Sequence, residues 1–93
     1  RVHVGGQKDG RKAACVYELV DFYDKQNDVT AMGRTTAYTC SIVSQMIGRR
    51  EISEKGVVHP SRIGWNTELA GKFFAELAKR GIRVTETVTQ PLT

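Results

Sequence analysis

The absences in this 93-residue chain restrict its function more than its composition does. No Gly-x-Gly-x-x-Gly stands between a strand-like run and a helix-like one, so the sequence holds no dinucleotide-binding half of its own. No apolar run is long enough to span a bilayer, and membrane insertion is set aside. The two cysteines, Cys15 and Cys40, lack Cys-x-x-Cys spacing and lie in apolar periodic segments, as expected of reduced, packed thiols in a cytoplasmic protein. Joined with His3 and His59 they match no structural zinc pattern, so no metal is expected. Acidic residues are in slight deficit, leaving a net charge of +4. The basic residues are scattered in Arg11-Lys12, Arg49-Arg50 and Lys79-Arg80, with no interleaved aromatics, so nucleic acid is not an expected partner. A stand-alone basic nucleic-acid-binding or dimerisation module is the alternative to the reading developed below.

Arg1 opens directly inside the alternating run Arg1-Val2-His3-Val4, with no initiator methionine and no leader. The expectation is a piece of a longer protein, with residues 1–93 forming one domain whose small core leans on surfaces outside it.

Asp9-Gly10 separates strand-like runs from Val2 to Gln7 and from Arg11 to about Tyr23, a strong hairpin signal. In the second run Ala14, Val16, Val20 and Phe22 alternate with Ala13, Cys15, Tyr17 and Leu19, which predicts burial on both faces. Residues 23–28 are polar and unpatterned, and read as a loop. From Thr35 or Thr36 to about Arg49, a helix is predicted with Cys40, Val43 and Ile47 beside Ile42 and Met46 on its buried stripe. The connection from Glu51 to Gly64 holds Gly56-Val57-Val58, read as a short strand. A second helix follows from near Asn66 to Arg80, ended by Gly81 in a left-handed cap. Residues 82–88 alternate as a strand, and Pro91 closes the pattern. The predicted class is α+β, a mainly antiparallel sheet with two helices packed on one face.

Gly5-Gly6-Gln7-Lys8-Asp9-Gly10-Arg11-Lys12 superficially suggests a phosphate loop. It is followed by a strand pattern, whereas a phosphate loop must open a helix, so a hairpin turn is the better account. Arg34-Thr35-Thr36 is the sharper candidate. A helix start there would offer free N–H groups, two hydroxyls and a guanidinium able to grip a carboxylate in two parallel hydrogen bonds. On chemistry alone the plainer account is favoured: Thr35 caps the helix, and Arg34 is solvated or pairs with an acid such as Asp28.

The segment Thr30-Ala31-Met32-Gly33-Arg34-Thr35-Thr36-Ala37-Tyr38 resembles the helix opening in the substrate domain of the saccharopine dehydrogenase and lysine 6-dehydrogenase family. In the same order, Tyr17-Glu18-Leu19-Val20-Asp21-Phe22-Tyr23-Asp24 resembles that family's preceding strand. Lys55-Gly56-Val57-Val58 with Pro60 is similar to its next connection, and Glu76-Leu77-Ala78-Lys79-Arg80-Gly81-Ile82 to its closing helix and strand. Ala37, Thr39 and His59 depart from the Gly, Pro and Pro of many relatives.

The resemblance implies the C-terminal substrate domain of an oxidoreductase acting on the C–N bond of a lysine- or saccharopine-like amino acid in lysine metabolism. NAD or NADP would be bound by an upstream nucleotide-binding domain absent here, with homodimerisation expected and no turnover by this chain alone. Arg34, Thr35 and Thr36 are then expected to hold a substrate carboxylate, with Tyr38 and His59 lining the pocket; no residue stands out as catalytic acid or base.

Overall fold

The computed structural model describes residues 1–92. Six elements follow one another: β1 (Val2–Lys8), β2 (Arg11–Leu19), α1 (Ala31–Gly48), α2 (Ser61–Trp65), α3 (Thr67–Lys79) and β3 (Val84–Thr89). The α+β class and the antiparallel sheet agree with expectation, with three helices in place of two. The chain divides into two compact units, one of Arg1–Val20 with Arg83 onward, the other of Asp21–Ile82.

The first unit is a three-stranded antiparallel sheet in the order β1-β2-β3. Its hairpin turns at Asp9 and Gly10, both left-handed with φ of 54° and 77°, the geometry that twists in the same sense as the strands it joins. Lys8 therefore faces Arg11, and the register runs back to Val2 against Tyr17. Val4, Cys15 and Val88 line up across the three strands, and Val4 and Val88 are about half exposed. β2 ends at Leu19, four residues before the expected Tyr23, and Val20 and Phe22 beyond it are exposed. The alternation continued past Leu19, but the ladder does not, because β3 begins pairing at Val84 against Leu19.

In the second unit α1 and α3 pack on one another. The buried hydrophobic side chains among the described residues, Ile42, Met46, Leu77 and Ile82, all belong to this unit. Ile42 and Met46, four residues apart, define the inner stripe of α1. Cys40 is exposed and Ile47 is 54% exposed, correcting the expected stripe. The helix carries apolar residues on two sides, and only the side bearing Ile42 and Met46 is covered within the unit.

α1 begins at Ala31, four or five residues before the expected start at Thr35 or Thr36. Thr30 is its cap: the hydroxyl accepts the Gly33 N–H at 3.0 Å while Thr30 itself stays extended. A paired bridge between Asp24 and Val29 delivers the chain to that point. Gly33 leaves room for the cap, since a Cβ there would lie 3.1 Å from both Thr30 Oγ1 and Val29 Cγ1.

Both long helices close in the same way. In α3 the Gly81 N–H donates to Ala78 O and the Ile82 N–H to Leu77 O, with Gly81 left-handed at φ 78° and Ile82 buried beside Leu77's turn. Ile82 thus ends the helix instead of starting β3. In α1 the Arg50 N–H donates to Ile47 O and the Glu51 N–H to Met46 O, with Arg50 itself left-handed at φ 62°. The expected strand at Gly56-Val57-Val58 is absent: Gly56 and Val57 form an exposed bend before the short α2, and Val58 beyond it is half-buried. Without a neighbouring strand to pair with, two β-branched residues do not make one.

Candidate functional site

Because Thr30 is the cap of α1, Arg34 lies one full turn inside the helix, with its own N–H donated to Thr30 O at 2.9 Å. The free N–H groups expected at Thr35 and Thr36 are therefore taken up in the helix, and the unpaired ones belong to the turn before them. What remains of the proposed constellation is the Arg34 side chain and its surroundings.

That side chain is 12% exposed and three of its five N–H groups are engaged. Nε donates to Asp21 Oδ2 at 2.9 Å, Nη1 to Asp24 Oδ2 at 3.3 Å, and Nη2 to the Arg80 carbonyl at 2.9 Å. Arg34 thereby ties the residues before α1 to the last turn of α3. Each terminal nitrogen keeps a second N–H for which no protein acceptor is recorded among the described residues. The guanidinium carbon stands 5.5 Å from the centre of the Tyr38 ring, one helical turn on, within cation–π range. The hydrogen bond donated to Asp21 holds the guanidinium's pKa above its ordinary value, against the opposing pull of burial, with the Asp21 charge, Tyr38 and Asp24 adding to the rise.

Asp24 is organised chiefly by its own loop. Its Oδ1 accepts from the Gln26 and Asn27 N–H groups at 3.0 and 3.2 Å, and its Oδ2 from the Asn27 side-chain amide at 2.9 Å. The Asn27 bonds, side chain first, hold its carboxyl below the usual carboxylate range, with Arg34 contributing last. Asp28, the partner anticipated for Arg34, instead accepts from the Tyr23 hydroxyl.

The other anticipated residues fall around this point or away from it. Thr35 turns its hydroxyl back onto the carbonyls of Ala31 and Met32 at 3.1 and 3.2 Å. Thr36 is exposed, and Tyr38 is half-buried beside Arg34. His59 is exposed ahead of α2, where Nδ1 meets the Ser61 hydroxyl at 2.9 Å and accepts the Ser61 N–H at 3.2 Å. Its recorded hydrogen bonds are all to Ser61. The structure thus groups Arg34 with Tyr38 and adds Asp21, Asp24 and the Arg80 carbonyl. The two aspartates had one visible signal: acids three apart where the apolar strand-like run gives way to the polar loop before α1.

Among the described residues no group of three or more His, Cys, Asp or Glu could hold a metal ion. Nor do these residues form a dinucleotide cradle, since the glycine turn at Gly10 joins two antiparallel strands and opens no helix. Among the described residues no helix is long and apolar enough to cross a membrane.

The model of the saccharopine dehydrogenase C-terminal domain matches residues 1–82, from β1 through α3 to Ile82. No solved structure matches the chain. A match over so much of the sequence, carrying the Arg34 helix and both helix closures within it, shows that this chain belongs to the saccharopine dehydrogenase C-terminal domain family, a family of oxidoreductases.

Proposed function

We propose that the parent protein is an NAD(P)-dependent oxidoreductase acting on the C–N bond of a lysine- or saccharopine-like amino acid, and that this chain supplies part of its substrate domain. The family match over residues 1–82 carries the reading. Arg34 supports it from the side of chemistry. It is a fixed, partly buried cation, oriented through Nε and with one N–H to spare on each terminal nitrogen. That is the arrangement from which a guanidinium grips a planar carboxylate. In this reading Arg34 anchors the substrate's carboxylate, Tyr38 borders it, Thr36 offers an exposed hydroxyl, and Thr35 and His59 contribute at the margin. The cofactor is held by the parent's nucleotide-binding part, and this chain's residues bind and orient the amino acid.

The exposed row through Val4 and Val88 supports a second element of the same proposal, homodimerisation of the parent through its sheet. The test is substrate-dependent reduction of NAD or NADP by the parent protein in the presence of lysine or saccharopine, and the reverse reaction from the imine side. The isolated chain is expected to be silent. Failure of the intact parent with both amino acids and both cofactors contradicts the proposal.

A further inference from the structure

We propose that Asp24 is an intramolecular competitor for the Arg34 guanidinium, occupying the seat that an incoming carboxylate must take. The inference rests on the reading of Arg34 as the carboxylate anchor and adds to it a residue that sets the strength of that anchor.

The two acids on Arg34 are unequal. Asp21 meets Nε at 2.9 Å and is 9% exposed, whereas Asp24 meets Nη1 at 3.3 Å and is 18% exposed. The longer contact is beyond the usual range for an N–H to oxygen bond and is correspondingly weak. Asp24 is also independently secured, since three donors from Gln26 and Asn27 hold its carboxylate without help from Arg34. Releasing Nη1 therefore leaves the loop intact. Asp21 and the Arg80 carbonyl keep the guanidinium in place meanwhile, through Nε and Nη2.

Electrostatics gives the contact its consequence. Two carboxylates on one guanidinium leave a local charge of about −1, so an arriving anion is repelled until Asp24 gives way. Once it does, Nη1 and the spare N–H of Nη2 form a fork open to a carboxylate. Every carboxylate bears the same exchange cost, so a bare small anion, with no further contacts to offset it, binds weakly.

The substitution Asp24→Asn removes this contact. The retained carbonyl oxygen takes the place of Oδ1 and keeps both backbone bonds of the turn, while an amide nitrogen replaces Oδ2, so the Arg34 contact is lost together with the Asn27 side-chain bond. Asp24→Ser, whose hydroxyl also supports such a turn, is the second variant.

The experiment titrates the parent protein, wild type and variants, with acetate and with L-lysine, and follows the Arg34 Nε–Hε resonance by NMR, with dispersed amide spectra confirming the fold. The expected result is a dissociation constant about fivefold lower in both variants, for acetate and for L-lysine alike. If binding perturbs Arg34 with equal or weaker affinity in the variants, the competitor role is overturned while the anchor reading stands. If neither ligand perturbs Arg34 in any form of the protein, both fall.

Discussion

Arg50 and Gly81 occupy the same place at the ends of two helices, and one of them is the wrong residue for it. Each is the left-handed residue of a closure in which its own N–H and the next one cap the last turn, at φ 62° for Arg50 and 78° for Gly81. Holding an L-residue in that conformation costs about 1–2 kcal/mol relative to a right-handed one. Glycine escapes this cost but forfeits about 0.5–1 kcal/mol through its freer unfolded chain. Arg50→Gly is therefore expected to stabilise the protein by about 0.5–1 kcal/mol, raising Tm by about 4 °C in a chain of this size. Gly81→Ala should do the reverse by a similar amount. A Cβ at Gly81 would meet only Arg34 Nη2, at 3.6 Å, an ordinary contact, so its cost is one of backbone conformation. Urea titration followed by far-UV circular dichroism, with the slope compared between variants, measures both changes. A neutral or destabilising Arg50→Gly beside an unchanged slope refutes the reasoning, as does a Gly81→Ala that costs nothing.

Other outcomes follow from the core and from the ion pairs. Met46→Ala removes a side chain with no exposed surface and should cost about 2–5 kcal/mol in the same titration; a loss below 1 kcal/mol would mean that the α1 and α3 contact is not the core of its unit. Asp24, Glu51 and Glu76 all have carboxyls held below their ordinary values, through Asn27, through Arg49, and through Lys79 with Arg80 respectively. Their contribution is complete above those ordinary values of 3.8 and 4.5 and is lost as pH falls through the depressed ones. Unfolding midpoints should accordingly be flat near neutrality and drop steeply in acid, with the drop lessened in Glu76→Gln; an unchanged acid limb in that variant contradicts the assignment.

Much of this architecture was legible because local signals agreed with tertiary demand. Asp9-Gly10 supplies the two left-handed residues of a hairpin. Asn66 accepts the Leu69 N–H as a cap should, and Gly81 ends the same helix. The start of α1 was misplaced because Thr30, Thr35 and Thr36 are equally good caps in isolation. What selects Thr30 is the bridge between Asp24 and Val29 and the room left by Gly33, neither of which periodicity expresses. Cys40 and Ile47 joined the wrong stripe because α1 is apolar on two sides, and only packing against α3 separates them. At the candidate site, Arg34 was visible from its own chemistry and Tyr38 through the family resemblance. Asp21, Asp24 and the Arg80 carbonyl were not, since bringing them to one guanidinium requires the loop and the end of α3 to be in place.

The central claim is that Arg34 anchors an amino-acid carboxylate, and steady-state kinetics of the parent protein carrying Arg34→Lys test it most directly. Lysine keeps the charge but loses the planar fork, so KM for the amino acid should rise about 10- to 100-fold while KM for the nicotinamide cofactor is unchanged. An amino-acid KM equal to that of the wild type, in a variant whose fold is intact, contradicts the claim.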